Sequence, residues 1–334
     1  MTDASLINCE IDLDLDGCHS GFLRLPHSVH RSAYGWIPIP IVSVRNGAGP
    51  IVLLMAGVHG DEYEGQLALS KLSRYLQSEM IKGQVIVLPM ANYPAAAAGL
   101  RTSPLDEGNL NRMFPGDPRG TPTQAIAHFI ETVLLARADF LLDIHSGGSS
   151  LRYETTLLMA EHRIPEHQAK GLELLNSLGF SKAILFPDSV DGNYSSSAAR
   201  RCGVVGITAE VAGGGNIDIQ ALKTLEDGLL CYLRKTGVLV SDLPVSEPAG
   251  PPRLFRLASD KSHVYAREEG LFEPLADIDD EVNTGQLAGY IHFPDAPWKS
   301  PEDVRFEMDA VVICRRFPAR VERGDCLFEL AEPI

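Results

Sequence analysis

His59 and Glu62 stand three residues apart in His59-Gly60-Asp61-Glu62. On a strand-to-helix turn or a first helical turn that spacing puts two side chains on one face, about 5–6 Å apart at Cβ. An imidazole and a carboxylate so placed suit two ligands of one small cation. His145, in His145-Ser146-Gly147-Gly148, offers a distant third. Two histidines and a glutamate with a fourth position left to water form a catalytic zinc arrangement, since zinc takes nitrogen and oxygen donors. Glu210, followed by VAGGG, adds a carboxylate that can take a proton from water and return it to a leaving amine. Hydrolysis of an amide at neutral pH is the chemistry such a set would do. The competing reading makes His59 and His145 hydrogen-bonded loop histidines and Glu62 a carboxylate favoured by a helix N-terminus.

Each of these residues follows a short apolar run that reads as a strand. Residues 51–58 (IVLLMAGV) lead into His59, 140–144 (FLLDI) into His145, and 204–211 (VVGITAEV) carry Glu210. Residues 84–90 (QVIVLPM) predict a further strand. Between them, 64–76 predicts a helix with Leu67, Leu72 and Leu76 near one stripe, and 123–137 another, capped by Thr121 or Thr123. Strands alternating with helices indicate an α/β layer with a parallel or mixed sheet. Ligands of open α/β sheets bind in the crevice beyond the carboxyl ends of the strands, where three strands deliver these groups. The composition changes at 244–252 (PVSEPAGPP), whose four prolines read as a linker. Beyond it, short strand-like pieces separated by Gly and Asp predict a small all-β module. The expected organisation is therefore a catalytic domain over 1–245 and a β module over 246–334, with the first forty residues able to pair with that module.

The chain has 334 residues, 29 basic and 44 acidic, for a formal charge of −15. No basic run compensates, which argues against a nucleic-acid partner, because phosphate binding draws on clustered Lys and Arg. The longest clean apolar run is far below the roughly 18 residues of a membrane span, and no basic-then-apolar leader pattern opens the chain, so no membrane partner is expected. Cys9, Cys18, Cys202, Cys231, Cys314 and Cys326 are scattered without a C-x-x-C pair and read as free thiols of a reducing compartment, predicting a cytoplasmic protein. The sequence leaves the oligomeric state open, a homo-oligomer, a dimer in the simplest case, being compatible with it.

The strings GVHGDEYEG (57–65), NLNRMFPG (109–116), DIHSGG (143–148) and TAEVAGG (208–214) resemble the succinylglutamate desuccinylase/aspartoacylase family, relatives of the zinc carboxypeptidases. The resemblance spans most of 50–215 in the family's order, and GLFEPL (270–275) and GQLAGYI (285–291) resemble its C-terminal β module. It implies an α/β fold with a zinc carboxypeptidase-like mixed sheet flanked by helices, and a smaller C-terminal all-β module. It also implies one Zn2+ per chain on His59, Glu62 and His145, Glu210 as the catalytic carboxylate, and Asn111 and Arg112 holding a substrate carboxylate. Arg101 corresponds to the arginine that polarises the scissile carbonyl. The implied substrate is a small N-acyl amino acid. The stretch RTSPLDEGNLNR (101–112) resembles the branch that deacetylates N-alpha-acetyl-L-2,4-diaminobutyrate in ectoine breakdown. Aspartoacylase or succinylglutamate desuccinylase chemistry is the alternative, and a fold retained only for binding a further one.

Arg112 suits its role because a guanidinium grips a carboxylate as a planar fork. The family commonly has Asp where this chain has Asn109, so an amide oxygen must orient a ligand histidine here. Asp143, two residues before His145 and on the same strand face, can supply a carboxylate nearby. A diamino substrate wants an acidic or carbonyl-lined subsite, and Asp61, Glu64, Asp106 and Glu107 are candidate acids for it. Gly213–Gly215 fits a turn of close backbone approach, because Asp218 breaks the phosphate-loop fingerprint. Ser149–Ser150 and Ser195–Ser197 lie in no G-x-S-x-G elbow and read as loop or substrate-contacting hydroxyls. His19, His27 and His30 read as surface residues, and Tyr153 and Tyr194 as candidate pocket walls.

Overall fold

The structure is a computed structural model describing residues 5–187, 190–242, 250–257 and 260–334. Four parallel strands lie side by side at its centre in the order Gly83–Leu88, Ile51–Ala56, Phe140–His145, Val205–Glu210. The first three are apolar on both faces because helices cover both. On one side Tyr63–Tyr75, Pro165–Leu175 and Ile219–Lys235 press Leu69, Leu72, Leu174 and Leu229 onto Val52, Leu54, Leu142 and Ile207. On the other, Pro122–Phe129 and Ser195–Arg201 bring Ile126, Phe129 and Ala198 against Leu53, Met55, Ile86 and Leu141. The strand period of two sorts alternate residues between these layers.

The predicted helix over 64–76 is Tyr63–Tyr75, but its buried stripe runs through Gly65, Ala68, Leu69 and Leu72, leaving Leu67 half-buried at the margin. The helix expected over 123–137 is shorter. A capping box between Thr121 and Gln124 starts it at Pro122, and after Phe129 it passes into a π turn, Ile130–Leu134, and a 3-10 turn, Leu135–Arg137.

At one edge of the sheet, Gly17–Pro26 and Trp36–Asn46 form an antiparallel pair joined to Gly83–Leu88. The alternative in which the first forty residues pair with the C-terminal module is thereby ruled out, since the two sit at opposite ends of the strand order. Leu23, Leu25, Ile37, Ile39 and Ile41 all point into the core beneath Pro122–Phe129, and burial of that face holds the pair at this edge. At the other edge the sheet continues through Thr156–Ala160, Lys182–Phe186, Arg253–Arg256, Cys326–Pro333 and Ala310–Arg316. A second, antiparallel sheet of Glu302–Arg305, Leu287–His292, Gly270–Pro274 and Arg320–Val321 shares a core with Cys326–Pro333 through Phe272, Ile291, Phe306 and Phe328. Among the described residues from 253 onward the only helical piece is the 3-10 turn Asp260–Ser262, in keeping with the expected all-β character. The proline-rich stretch at 244–252 lies mostly outside the described residues.

Candidate active site

Backbone packing lifts His59 and Glu62 from the end of Ile51–Ala56. Gly57 has φ +66°, and at Gly60 a Cβ would lie 2.0 Å from the Ala95 carbonyl oxygen, so only glycine lets this loop rest on the helix Tyr93–Ala98. Gly60 N–H donates to the Leu100 carbonyl at 2.8 Å, and Glu62 then takes the N-cap position of Tyr63–Tyr75 without a side-chain capping bond. On the other central strands His145 and Glu210 are direct neighbours in register, which puts their side chains on one face.

The Glu62 carboxylate lies between the two imidazoles, Oε1 2.7 Å from His59 Nδ1 and Oε2 2.8 Å from His145 Nδ1. All three residues are at most 3% exposed, and one donor atom from each lies within 4.8 Å of the others. The outer ring nitrogens are held from behind: His59 Nε2 is 3.0 Å from Asn109 Oδ1 and His145 Nε2 is 3.0 Å from Asp143 Oδ2. Asn109 Oδ1 also accepts the Asn111 N–H, and Asp143 Oδ2 the Ser195 hydroxyl, so both outer partners are acceptors. With Nε2–H donating outward, an imidazole that gives up its Nδ1 proton turns that lone pair toward the carboxylate. Contacts below 3 Å between these groups call for a cation between them, either a proton on Nδ1 or a metal ion in its place. The nitrogen, nitrogen and carboxylate donor set is one that zinc takes.

Burial alone would favour a neutral His145, but Asp143 and Glu62 on either side raise its pKa well above the ordinary value. Burial would likewise raise Glu62, yet His145 and His59 outweigh it and hold its carboxyl well below the usual range. Glu210 differs. Burial pushes it well above the usual carboxylate range, Glu62 and Glu329 adding to the rise, and its Oε2 is buried without a partner. A carboxylate in that state is suited to receive a proton.

These groups open on one cavity of about 440 Å³, whose wall also includes Arg101, Asn111 and Arg112. The residues expected to bind metal, carry protons or hold the substrate carboxylate therefore all reach the same space. Arg101 Nη1 is 3.4 Å from both Glu62 Oε1 and His59 Nδ1. Asn111 Oδ1 accepts the Ser195 N–H at 2.8 Å, which leaves the amide NH2 to donate. The Arg112 guanidinium lies 4.7 Å over the Tyr194 ring. Tyr153 and Tyr194 line the cavity as anticipated, and Ser195 both borders it and steadies Asp143. The three glycines at 213–215 all have positive φ, and a Cβ on Gly213 would meet the Leu151 carbonyl oxygen at 2.4 Å, the close approach expected beside Glu210.

The four acids expected for a substrate subsite are elsewhere. Asp61 accepts from the Ser149 amide and hydroxyl, Glu64 from the Asp218 amide, Asp106 from Thr123, and Glu107 is exposed. Glu329 on Cys326–Pro333 instead joins the cavity wall, with Leu257 and His263 from the same part of the chain. The sequence did hold a signal for it: one acid inside the apolar run LFELA, where burial of a lone carboxylate needs a reason.

A family model of the succinylglutamate desuccinylase/aspartoacylase catalytic domain matches residues 48–236. The N-alpha-acetyl-L-2,4-diaminobutyric acid deacetylase of Halomonas elongata is 38% identical over 333 residues, 99% of this chain and 96% of its own. A crystal structure of a succinylglutamate desuccinylase/aspartoacylase from Rhodobacter sphaeroides superposes with a TM-score of 0.92 at 37% identity, covering 99% of both chains. The product-bound ectoine utilization protein EutE (DoeB) of Ruegeria pomeroyi gives 0.92 at 34% identity, over 99% of this chain and 100% of its own. The chain belongs to the succinylglutamate desuccinylase/aspartoacylase family, hydrolases that act on N-acyl amino acids.

Proposed function

We propose that this chain is a zinc-dependent deacetylase that converts N-alpha-acetyl-L-2,4-diaminobutyrate to L-2,4-diaminobutyrate and acetate, a step of ectoine breakdown. The observation that carries the reading is the convergence of His59, Glu62 and His145 beside a buried, unpartnered Glu210 in one cavity. The substrate is drawn from the similarity, along nearly the whole chain, to the Halomonas elongata deacetylase.

His59, Glu62 and His145 would hold one zinc ion, which when bound supplies Lewis acidity that polarises a carbonyl and makes water nucleophilic near neutral pH. Asn109 and Asp143 keep both imidazoles aimed inward. Asn111 and Arg112 bind the substrate's α-carboxylate, the amide NH2 and the planar guanidinium both donating. Glu210 takes a proton from the attacking water and delivers it to the nitrogen as the C–N bond breaks, so acetate and a free amine leave. Arg101 donates toward the carbonyl oxygen as negative charge gathers there.

Residues 1–245 act in this reading as the catalytic unit, and 246–334 as a β module whose Leu257, His263 and Glu329 close one side of the cavity. A cytoplasmic location fits the six free cysteines, and no helix of the described residues is long and apolar enough to cross a membrane. The test is metal analysis followed by chelation, with released amine measured on N-alpha-acetyl-L-2,4-diaminobutyrate, N-acetyl-L-aspartate and N-succinyl-L-glutamate. The reading expects one zinc per chain, loss of turnover on chelation with recovery on adding zinc, and preference for the first substrate. Equal rates on all three would overturn the substrate, and turnover indifferent to chelation would overturn the chemistry.

A further inference from the structure

Glu329 is used by none of the steps above, yet its carboxylate borders the same cavity and is only 10% exposed. Its side-chain partners are the Tyr153 hydroxyl, which donates at 2.6 Å, and His263 Nε2 at 3.6 Å. Other charges in the cavity are already assigned. Glu62 is flanked by two imidazoles and Arg101, while Arg112 lies over Tyr194. Glu210 is the proton carrier. A buried carboxylate is stable only when paired or well hydrogen-bonded, and among the described residues Glu329 has a phenol and an imidazole rather than a lysine or arginine. His263, whose pKa Glu329 raises, can carry a positive charge at 3.6 Å, a distance that leaves the carboxylate room for a second, closer cation from the cavity.

We infer that Glu329 is the specificity-determining residue for the substrate side chain, receiving its terminal ammonium while Tyr153 positions the carboxylate. The inference rests on the deacetylase reading and deepens it. Tyr153 is suited to this role because burial, with the charge of Glu329 added, raises its pKa well above the ordinary value, so the phenol stays protonated and continues to donate. The same carboxylate repels a substrate whose side chain ends in an anion, as N-acetylaspartate and succinylglutamate do. It therefore separates diamino from acidic substrates within a family fold that serves both. The carboxylate arrives on the last strand of the chain, joined through Tyr153 across 176 residues of sequence.

The test compares N-alpha-acetyl-L-2,4-diaminobutyrate with N-acetyl-L-2-aminobutyrate, which lacks the ammonium, in the zinc-loaded chain and in Glu329→Gln. Calorimetric binding of L-2,4-diaminobutyrate and L-2-aminobutyrate provides a readout independent of turnover. The expected result is a loss of about 10- to 100-fold in kcat/KM on the diamino substrate, carried by KM, as for a lost charge-assisted contact. Turnover of the neutral analogue changes far less, and by a kcat effect, since removing the Glu329 charge also relieves Glu210. Binding of the diamine product weakens in parallel, and that of the monoamine does not. Tyr153→Phe should give a smaller loss with the same selectivity. The unaltered chain offers a version that needs no variant: it must bind the diamine more tightly than the monoamine. Equal binding of the two, or a variant that loses both substrates alike, overturns the role of Glu329. A zinc-loaded chain that hydrolyses neither amide overturns the deacetylase reading instead, and the calorimetry still decides Glu329.

Discussion

Exchanging the groups behind the two histidines gives the most discriminating prediction. Asp143 Oδ2 takes the His145 Nε2–H at 3.0 Å and the Ser195 hydroxyl, while Asn109 Oδ1 takes the His59 Nε2–H at the same distance. The two imidazoles therefore differ in the charge behind them. Asp143→Asn keeps an acceptor for both donors but removes the charge. A hydrogen bond to a charged group stabilises by about 1.5–3 kcal/mol and a neutral one by about 0.5–1.5, so the difference is about 1–1.5 kcal/mol, or roughly tenfold in zinc affinity. Asp143→Ala removes the acceptor, strands two buried donors and should weaken zinc binding about a hundredfold. Asn109→Asp reverses the sense, because a carboxylate raises the basicity of His59, and should tighten binding about tenfold. The double exchange should return close to the native affinity. Competition against a chromophoric chelator at fixed pH measures all four, with circular dichroism verifying the fold. Asp143→Ala and Asn109→Asp both within about threefold of native affinity would refute the idea that these partners tune the histidines.

Three further outcomes are expected. Glu210→Gln should keep its zinc and lose about 10²- to 10⁴-fold in kcat, and turnover within tenfold of native would remove Glu210 from proton transfer. Gly60→Ala should lower stability by about 1–3 kcal/mol in urea unfolding, since the added carbon meets the Ala95 carbonyl oxygen at 2.0 Å. Asp106 is partly buried, which raises its pKa, but bonds from the Thr123 amide and from the Thr121, Thr123 and Ser103 hydroxyls outweigh this and hold it below the ordinary value. Its stabilising effect is therefore complete above the usual carboxylate range and is lost as pH falls through the lower folded-state value. Asp106→Asn should accordingly be less stable than the native chain at pH 7, with the gap closing below about pH 4. A gap independent of pH would contradict that account.

Residue types and short spacings were enough to single out the residues of the inner site. His59-x-x-Glu62 declares two donors because three residues across a strand-to-helix turn fix their separation locally. His145 and Glu210 were legible because each ends an apolar run, and the ends of such strands meet in α/β sheets. Short apolar runs likewise located the four central strands to within a few residues. Other features belong to long-range packing and leave no local trace. Asn109 reaches His59 across 50 positions, and Ser195 reaches Asp143 across 52. The first hairpin could have closed either end of the sheet, because alternation specifies which face of a strand is buried but not which neighbour it pairs with. The acids near the His59–Glu62 loop and the 101–112 stretch were plausible subsite groups until the fold turned Asp61, Glu64 and Asp106 onto backbone donors. A carboxylate near the end of the chain took their place in the cavity. Side-chain chemistry is set by the residue itself, whereas which charge faces the substrate depends on where a distant strand adds to the sheet. Tertiary structure alone decides that.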